Sequence, residues 1–287
     1  MNLEKYDRIA IQAPDGLRGR AMELCEEFNS TGKEAFLLLD PCYGACDLRD
    51  REAKALGAEV LLHLGHADFG VESDIPVIFD PHYYEVQVGE ESVCRICETL
   101  EGRSFSMCYP INFEKVAQSI REKLGTRSLN PVDFFPVLGC TFPEQGVETI
   151  LYIGDGEFHP LGVSMKNSSV LSFDPFSGEV KNVNGEHYIR KRYAAIARGV
   201  DAERFGILVS TKKGQQNMGV ARDIRERLER SGKSAVILAM DRINNENLIG
   251  CGVDVFINTA CPRIALDDDF EKPMINHFDF DAFEEIS

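Results

Sequence analysis

The 287-residue chain carries 31 Lys and Arg against 47 Asp and Glu, a net charge of −16. That surplus of acid excludes a general nucleic-acid binder, because phosphate contacts need a basic surface, and no apolar run approaches the roughly 18–20 residues of a membrane span. Nine cysteines are an odd number, so internal pairing into disulfides cannot be complete. The N-terminal stretch MNLEKYDRIAIQAPDG contains acidic residues and only a short apolar run, so no secretory signal is expected. The chain reads as cytoplasmic, where thiols stay reduced.

Short apolar runs alternate with amphipathic stretches. In chain order the runs are 8–12 (RIAIQ), 35–39 (AFLLL), 59–64 (EVLLHL) and 77–79 (VIF). They continue at 134–138 (FFPVL), 149–153 (TILYI), 170–173 (VLSF), 205–209 (FGILV), 234–240 (SAVILAM) and 254–258 (DVFIN). Apolar on both faces, they predict strands covered on both sides, as in a parallel sheet flanked by helices. The stretches 17–32 and 47–57 predict helices that end in Gly. Asn112 is expected to cap a helix with the stripe Val116, Ile120 and Leu124, stopped at Gly125. Val220, Ile224 and Leu228 form a further stripe ended by Gly232, with Asp223 four residues before Arg227 on the polar face.

The order of elements repeats. LLHLGHADFG matches LYIGDGEFHPLG, and VIFDPH matches LSFDPF. The fold class is therefore α/β, read as three similar small domains with parallel sheets, at 1–100, 101–195 and 196–287. One large doubly wound sheet is the competing reading.

The cysteines differ in context. Cys25, Cys108 and Cys251 read as small buried hydrophobes. Cys94 and Cys97 form a lone CxxC, a weak signal for a metal or redox pair because no second pair accompanies it. Cys42 and Cys46 follow the strand AFLLL, Cys140 follows FFPVL, and Cys261 follows DVFIN. Ligand-binding groups in α/β sheets gather beyond the carboxyl ends of strands. One cysteine at that edge of each unit could meet the others at one point, where three thiolates leave an open position. The centre could be zinc or a cubane iron–sulfur cluster. Three buried strand-end cysteines without a metal remain open as well. The CxxxC of 42–46 lacks the third cysteine of the usual radical S-adenosylmethionine loop, because position 49 is Arg.

IQAPDGL near the start, YGACDL at 43–48, VLGCT at 137–141 and ACPRIALDD at 260–268 together resemble the diphthamide-synthesis enzymes, the 2-(3-amino-3-carboxypropyl)histidine synthases, in their single-subunit archaeal form. The resemblance spans residues 11 to 268. It implies three α/β domains arranged around a central 4Fe–4S cluster ligated by Cys46, Cys140 and Cys261, with Cys42 outside the ligand set. It implies a homodimer, an external reductant, and elongation factor 2 as protein substrate, with neither nucleic acid nor membrane engaged directly. The implied reaction transfers the 3-amino-3-carboxypropyl group of S-adenosylmethionine to a histidine by a radical mechanism, releasing methylthioadenosine. The three cysteines are not strictly equivalent in the repeat: Cys46 and Cys140 follow the second strand of their units, Cys261 the third. The alternatives are a three-cysteine zinc enzyme and a non-catalytic α/β ligand-binding module. The chain stops soon after Cys261, so no C-terminal module is expected.

Loops beyond strand ends supply the candidate S-adenosylmethionine contacts. Gly156 and Glu157 lie in GDGEFH, where glycines allow close backbone approach and carboxylates could hold an amino group. Lys213 and Gln215 lie in STKKGQ, with a lysine for a carboxylate and an amide for a ribose; a solvated loop is the plainer reading. Asp15 follows the first strand. His66 and His159, read as matching positions, are candidate proton acceptors. Arg263 could stabilise a reduced cluster or bind a carboxylate, or lie on the surface. Asp267–269 read as a solvated turn, with a basic face of a protein substrate as the alternative. No catalytic side chain is assigned beyond the cluster.

Overall fold

In the computed structural model, residues 3–141, 143–267 and 269–287 are described; Asp268 of the acidic turn lies outside them. The chain divides into two compact units. One comprises residues 1–82 together with 211–216, the other 83–210 and 217–287.

The first unit holds one four-stranded sheet. Strand β1 (Arg8–Gln12) leads through a 3-10 turn (Asp15–Leu17) into α1 (Arg18–Ser30), then β2 (Glu34–Leu38), α2 (Asp50–Ala55), β3 (Val60–Leu64) and β4 (Val77–Asp80). The sheet order is β2-β1-β3-β4 and every pairing is parallel. Strand β3 is buried at every residue. Leu24, Ile9, Ile11 and Leu62 pack on one side, while Ala10, Leu61 and Ala53 pack on the other. The glycines expected to end α1 and α2, Gly32 and Gly57, adopt φ of +84° and +88°, a conformation that favours glycine after a helix.

The second unit holds two sheets. Helix α3 (Glu90–Leu100) precedes β5 (Phe105–Tyr109), a 3-10 turn (Ile111–Phe113), α4 (Glu114–Gly125), β6 (Phe134–Pro136), β7 (Thr149–Ile153), α5 (Phe158–Ser164), β8 (Val170–Asp174), β9 (Glu179–Val183) and α6 (Glu186–Gly199). Then come β10 (Arg204–Ser210), α7 (Met218–Arg230), β11 (Ser234–Met240), α8 (Asn245–Leu248), β12 (Val255–Asn258), α9 (Pro262–Asp267), β13 (Met274–Asn276) and α10 (Phe280–Glu284). The sheet orders are β6-β5-β7-β8-β9 and β11-β10-β12-β13. The fold is thus α/β with three sheets that share the order second-first-third-fourth, and the reading of one large doubly wound sheet does not hold. Among the described residues, only the added β9 runs antiparallel. Helix α3 lies before residue 100, yet Val93, Ile96 and Leu100 join Phe105, Met107 and Leu151 in one core.

Some local expectations are corrected. Strand β11 is not covered on both faces, and Val236 is 46% exposed, because this strand is the edge of its sheet. Asn112 does not cap α4: it sits inside the 3-10 turn, and Phe113 holds the cap position without a side-chain bond. In α7 the buried stripe is Ala221, Ile224 and Leu228, one position later than expected at its start; Val220 is exposed. Among the described residues, no helix is long and apolar enough to cross a membrane.

Candidate active site

In the first unit, the loop after β2 carries Cys42, Gly44 and Cys46. Gln12, fully buried at the end of β1, shapes this loop. Its amide nitrogen donates to the Asp47 carbonyl at 2.6 Å, and its oxygen accepts from the Arg49 backbone N–H at 3.1 Å. The segment 211–216 closes over the same turn. Gly214 N–H donates to the Cys46 carbonyl at 3.0 Å, and the Gln215 side-chain amide donates to Cys46 Sγ at 3.3 Å. A Cβ at Gly214 would lie 2.5 Å from Cys46 Cα and 2.7 Å from its carbonyl oxygen, so only glycine lets the two backbones approach this closely. Lys212 pairs with Asp47 at 2.6 Å; Lys213 pairs with Asp50 and Asp74, each at 2.6 Å. Both aspartates facing these lysines from the turn, Asp47 and Asp50, are buried, where an ion pair must be closely hydrogen-bonded to offset desolvation.

The structure therefore places the two candidates of this loop as follows. Gln215 faces the cysteine sulfur, and Lys213 is held between two carboxylates. The loop is not solvated: Lys212 and Gln215 are each 8% exposed. Burial pushes the Cys46 thiol up, and the bond from Gln215 partly offsets it. An N–H···S bond favours the thiolate, the form that ligates a metal. Asp15 lies at the surface, paired with Arg18 at 2.8 Å.

In the second unit, Cys140 follows β6 and Cys261 follows β12. Both are half-buried. Asn258, fully buried at the end of β12, organises the second of these loops. Its amide nitrogen donates to the Cys261 carbonyl at 2.8 Å, and its oxygen accepts from the Ala260 N–H at 3.0 Å. Arg263 then ties the two cysteine loops together. Its Nη1 donates to the Gly139 carbonyl at 3.1 Å and to the Phe158 carbonyl, while Nε and Nη2 hold the Asp267 carboxylate at 2.8–3.1 Å. The guanidinium lies 3.9 Å from the Phe158 ring centroid, a cation–π contact that the rigid planar fork favours. Arg263 is 4% exposed, so the surface reading of this residue is overturned. Glycines again set the approach: a Cβ at Gly139 would strike the Phe158 ring, and one at Gly162 would lie 2.7 Å from the Gly139 carbonyl.

Gly156 and Glu157 are exposed, and Glu157 lies 3.6 Å from Lys181. His66 and His159 are not equivalent. The register pairs Gln12 with His63 and Cys108 with Tyr152, which aligns His66 with Asp155; His159 lies four residues further, in α5, stacked on Tyr152. Of the remaining cysteines, Cys25 and Cys108 are buried as expected, Cys251 is half-buried, and Cys94 is exposed on α3.

Residues 13–285 match the family described as "Putative diphthamide synthesis protein". The chain belongs to this family. It is 37% identical to the 2-(3-amino-3-carboxypropyl)histidine synthase of Pyrococcus horikoshii over 93% of this chain and 83% of that one. Identity to the enzyme of the same name from Methanocaldococcus jannaschii is 30%, covering 98% and 86%. Among solved structures, Dph2 from P. horikoshii with a 4Fe–4S cluster superposes with a TM-score of 0.89 at 31% identity, covering 99% of this chain and 87% of that one. The residues of this diphthamide-synthesis chain fit such a cluster: Cys46, Cys140 and Cys261 are half-buried cysteines in loops beyond strand ends, with an amide N–H directed at one sulfur. Thiolate ligation of that kind is what iron–sulfur clusters require.

Proposed function

We propose that this enzyme transfers the 3-amino-3-carboxypropyl group of S-adenosylmethionine to a histidine of elongation factor 2, the first step of diphthamide biosynthesis, releasing methylthioadenosine. The observation that carries the reading is the likeness, over nearly the whole chain, to a structure that holds a 4Fe–4S cluster, in a chain with a strand-end cysteine beside each of its three sheets.

Cys46, Cys140 and Cys261 are the residues that would hold the cluster. A bound cluster would supply one electron to the sulfonium and an open iron beside it. The rest is positioning by this chain's own residues. Gln12 and Asn258 fix the backbone of two cysteine loops from buried strand ends. Arg263 holds the loops of Cys140 and Cys261 in register. Gln215 donates to Cys46 Sγ, which lowers the electron density on that sulfur and favours reduction. Asp15, Gly156, Glu157, Lys213 and Gln215 remain the candidates to orient S-adenosylmethionine. Which sulfur–carbon bond breaks is then decided by which carbon is presented to the metal, an effect of orientation rather than of acid–base chemistry. A homodimer, a cytoplasmic setting and an external reductant complete the reading.

The test is anaerobic reduction with dithionite in the presence of S-adenosylmethionine. Methylthioadenosine is the expected product; 5′-deoxyadenosine as the main product would overturn the proposed bond cleavage. The purified protein is expected to be brown, absorbing near about 400 nm with about four irons per chain. Cys46→Ala, Cys140→Ala and Cys261→Ala should each lose or damage the cluster, whereas Cys25→Ala and Cys94→Ala should retain it. A colourless protein with stoichiometric zinc on the three cysteines would instead support a zinc enzyme.

A further inference from the structure

Cys42 stands outside the three proposed cluster ligands, and His63 was not singled out by the sequence at all. In the first unit these two residues and His66 bring three donor atoms within 4.8 Å of one another. Cys42 Sγ lies 3.9 Å from His63 Nε2, and His63 Nε2 lies 3.0 Å from His66 Nδ1. Two short segments of chain supply them: the loop after β2, and the end of β3, where the two histidines are three residues apart. Cys42 and His63 are buried and His66 is half-buried.

The protonation pattern of His63 follows from its partners. The Gln12 amide nitrogen faces the Asp47 carbonyl, and its oxygen faces the Arg49 N–H. The group that His63 Nδ1 meets at 3.2 Å is therefore an amide oxygen, which only accepts. Nδ1 must carry the proton, which leaves the lone pair of Nε2 directed at Cys42 and His66. An imidazole whose far nitrogen is anchored to a fixed acceptor is the usual arrangement of a metal-ligating histidine. Burial keeps both imidazoles neutral, with His63 lowered to about 3, and the neutral form is the ligating one.

We propose that Cys42, His63 and His66 form a zinc site separate from the iron–sulfur cluster. A tetrahedral zinc with nitrogens at about 2.0–2.1 Å and sulfur at about 2.3 Å sets its N···N edges near about 3.3 Å and its S···N edges near about 3.6 Å. The observed 3.0 and 3.9 Å are within about 0.3 Å of those edges, and the remaining Cys42–His66 edge is no longer than 4.8 Å. One thiol and two imidazoles make a borderline-soft donor set that selects zinc over magnesium or calcium, whose ligands are oxygen. Three protein donors leave a fourth position for water or a small ligand. Binding releases the Cys42 proton, so zinc affinity is expected to rise with pH.

The test uses the anaerobic, cluster-loaded holoenzyme, titrated with zinc sulfate against a chromophoric chelator and then analysed for both metals. One zinc per chain is expected, with iron content unchanged. Zinc-edge X-ray absorption should show one sulfur and two imidazole nitrogens. Cys42→Ser and His66→Gln are each expected to weaken zinc binding at least about tenfold with iron retained, iron content serving as the control for folding. The proposal is overturned by absence of stoichiometric zinc, by zinc uptake that displaces iron, or by unchanged zinc affinity in both variants. The last result would leave the three side chains as a hydrogen-bonded triad.

Discussion

At Gly214 an added methyl group would meet backbone rather than a movable side-chain tip, 2.5 Å from Cys46 Cα. The only relief is displacement of the cysteine loop or of the segment 211–216, and either moves Gln215 away from Cys46 Sγ. Gly214→Ala is therefore expected to lower iron incorporation well below that of the unmodified chain while far-UV circular dichroism stays the same; iron analysis per chain measures it. Full iron content in this variant would show that the contact is not needed to shape the ligand. Residue types and positions made part of this site readable in advance. Cys46, Cys140 and Cys261 stand out because each follows an apolar run, and glycine-rich loops mark where backbones approach. The partners of those residues were not readable. Asp47 and Lys212 are 165 positions apart, and a buried ion pair leaves no periodic trace in sequence. His63 was hidden because a lone histidine inside an apolar run reads as part of a strand, and its chemistry appears only once Gln12 is seen to fix its tautomer.

Elements repeat more closely than the sequence motifs do. In all three sheets the carboxylate just before the third strand clips the start of the first. Glu59 accepts from the Asp7 and Arg8 N–H groups, Glu148 from Ser104 N–H, and Asp254 from Glu203 and Arg204 N–H. The first two matched strand ends also share a turn: Asp80 accepts from His82 N–H, and Asp174 from Phe176 N–H. The side-chain bond from Arg204, with those backbone N–H groups, holds the Asp254 carboxyl at about 2, below its ordinary 3.8; backbone bonds lower Glu59 as well. A carboxyl depressed in the folded state binds fewer protons there than in the unfolded chain, so its contribution is present above the ordinary value and is lost as pH falls toward the folded one. Asp254→Asn is thus expected to be less stable than the unmodified protein above pH 5, with the gap closing as pH falls from about 4 to about 2. Urea midpoints across that range measure it, and a gap independent of pH would contradict the clip. Most strands and their succession along the chain were legible here because parallel strands buried on both faces are continuous apolar runs. Edge strand β11 was overread for the same reason, since its composition matches a central strand while its position does not. The hairpin strand β9 was missed because EVKNV is polar and partly exposed.

At the scale of the whole molecule, the sequence order and the compact units disagree at one place. Residues 211–216 follow β10 in the chain, yet they belong with residues 1–82. No sequence pattern announces this, because the link consists of charges and one amide rather than an apolar stripe. The energetics make it consequential. Asp47 and Asp50 have side chains no more than 1% exposed, paired with Lys212 and Lys213. Removing one partner of a buried pair costs about 3–5 kcal/mol, since a charge is left in a medium that solvates it poorly. In residues 1–82 alone Asp50 loses Lys213, while Asp47 loses Lys212 and keeps Arg49 at 3.3 Å, a loss that is a large share of the whole stability of a small domain, about 5–15 kcal/mol. Residues 1–82 made alone are therefore expected not to unfold cooperatively, although they contain every strand of their sheet. A second fragment separates charge from mere lost contact. Asp47→Asn with Asp50→Asn in residues 1–82 removes the buried charges that have lost their lysines and nearly preserves shape, so it should recover a cooperative transition or raise the urea midpoint relative to the unmodified fragment. The same double substitution in the full chain instead takes the buried carboxylates from Lys212 and Lys213, leaving Lys213 its pair with Asp74, and should lower stability. Opposite signs in the two contexts, read from urea titrations followed by circular dichroism, are the signature of a segment held by buried ion pairs; equal signs would mean that the fragment fails for want of covering surface alone.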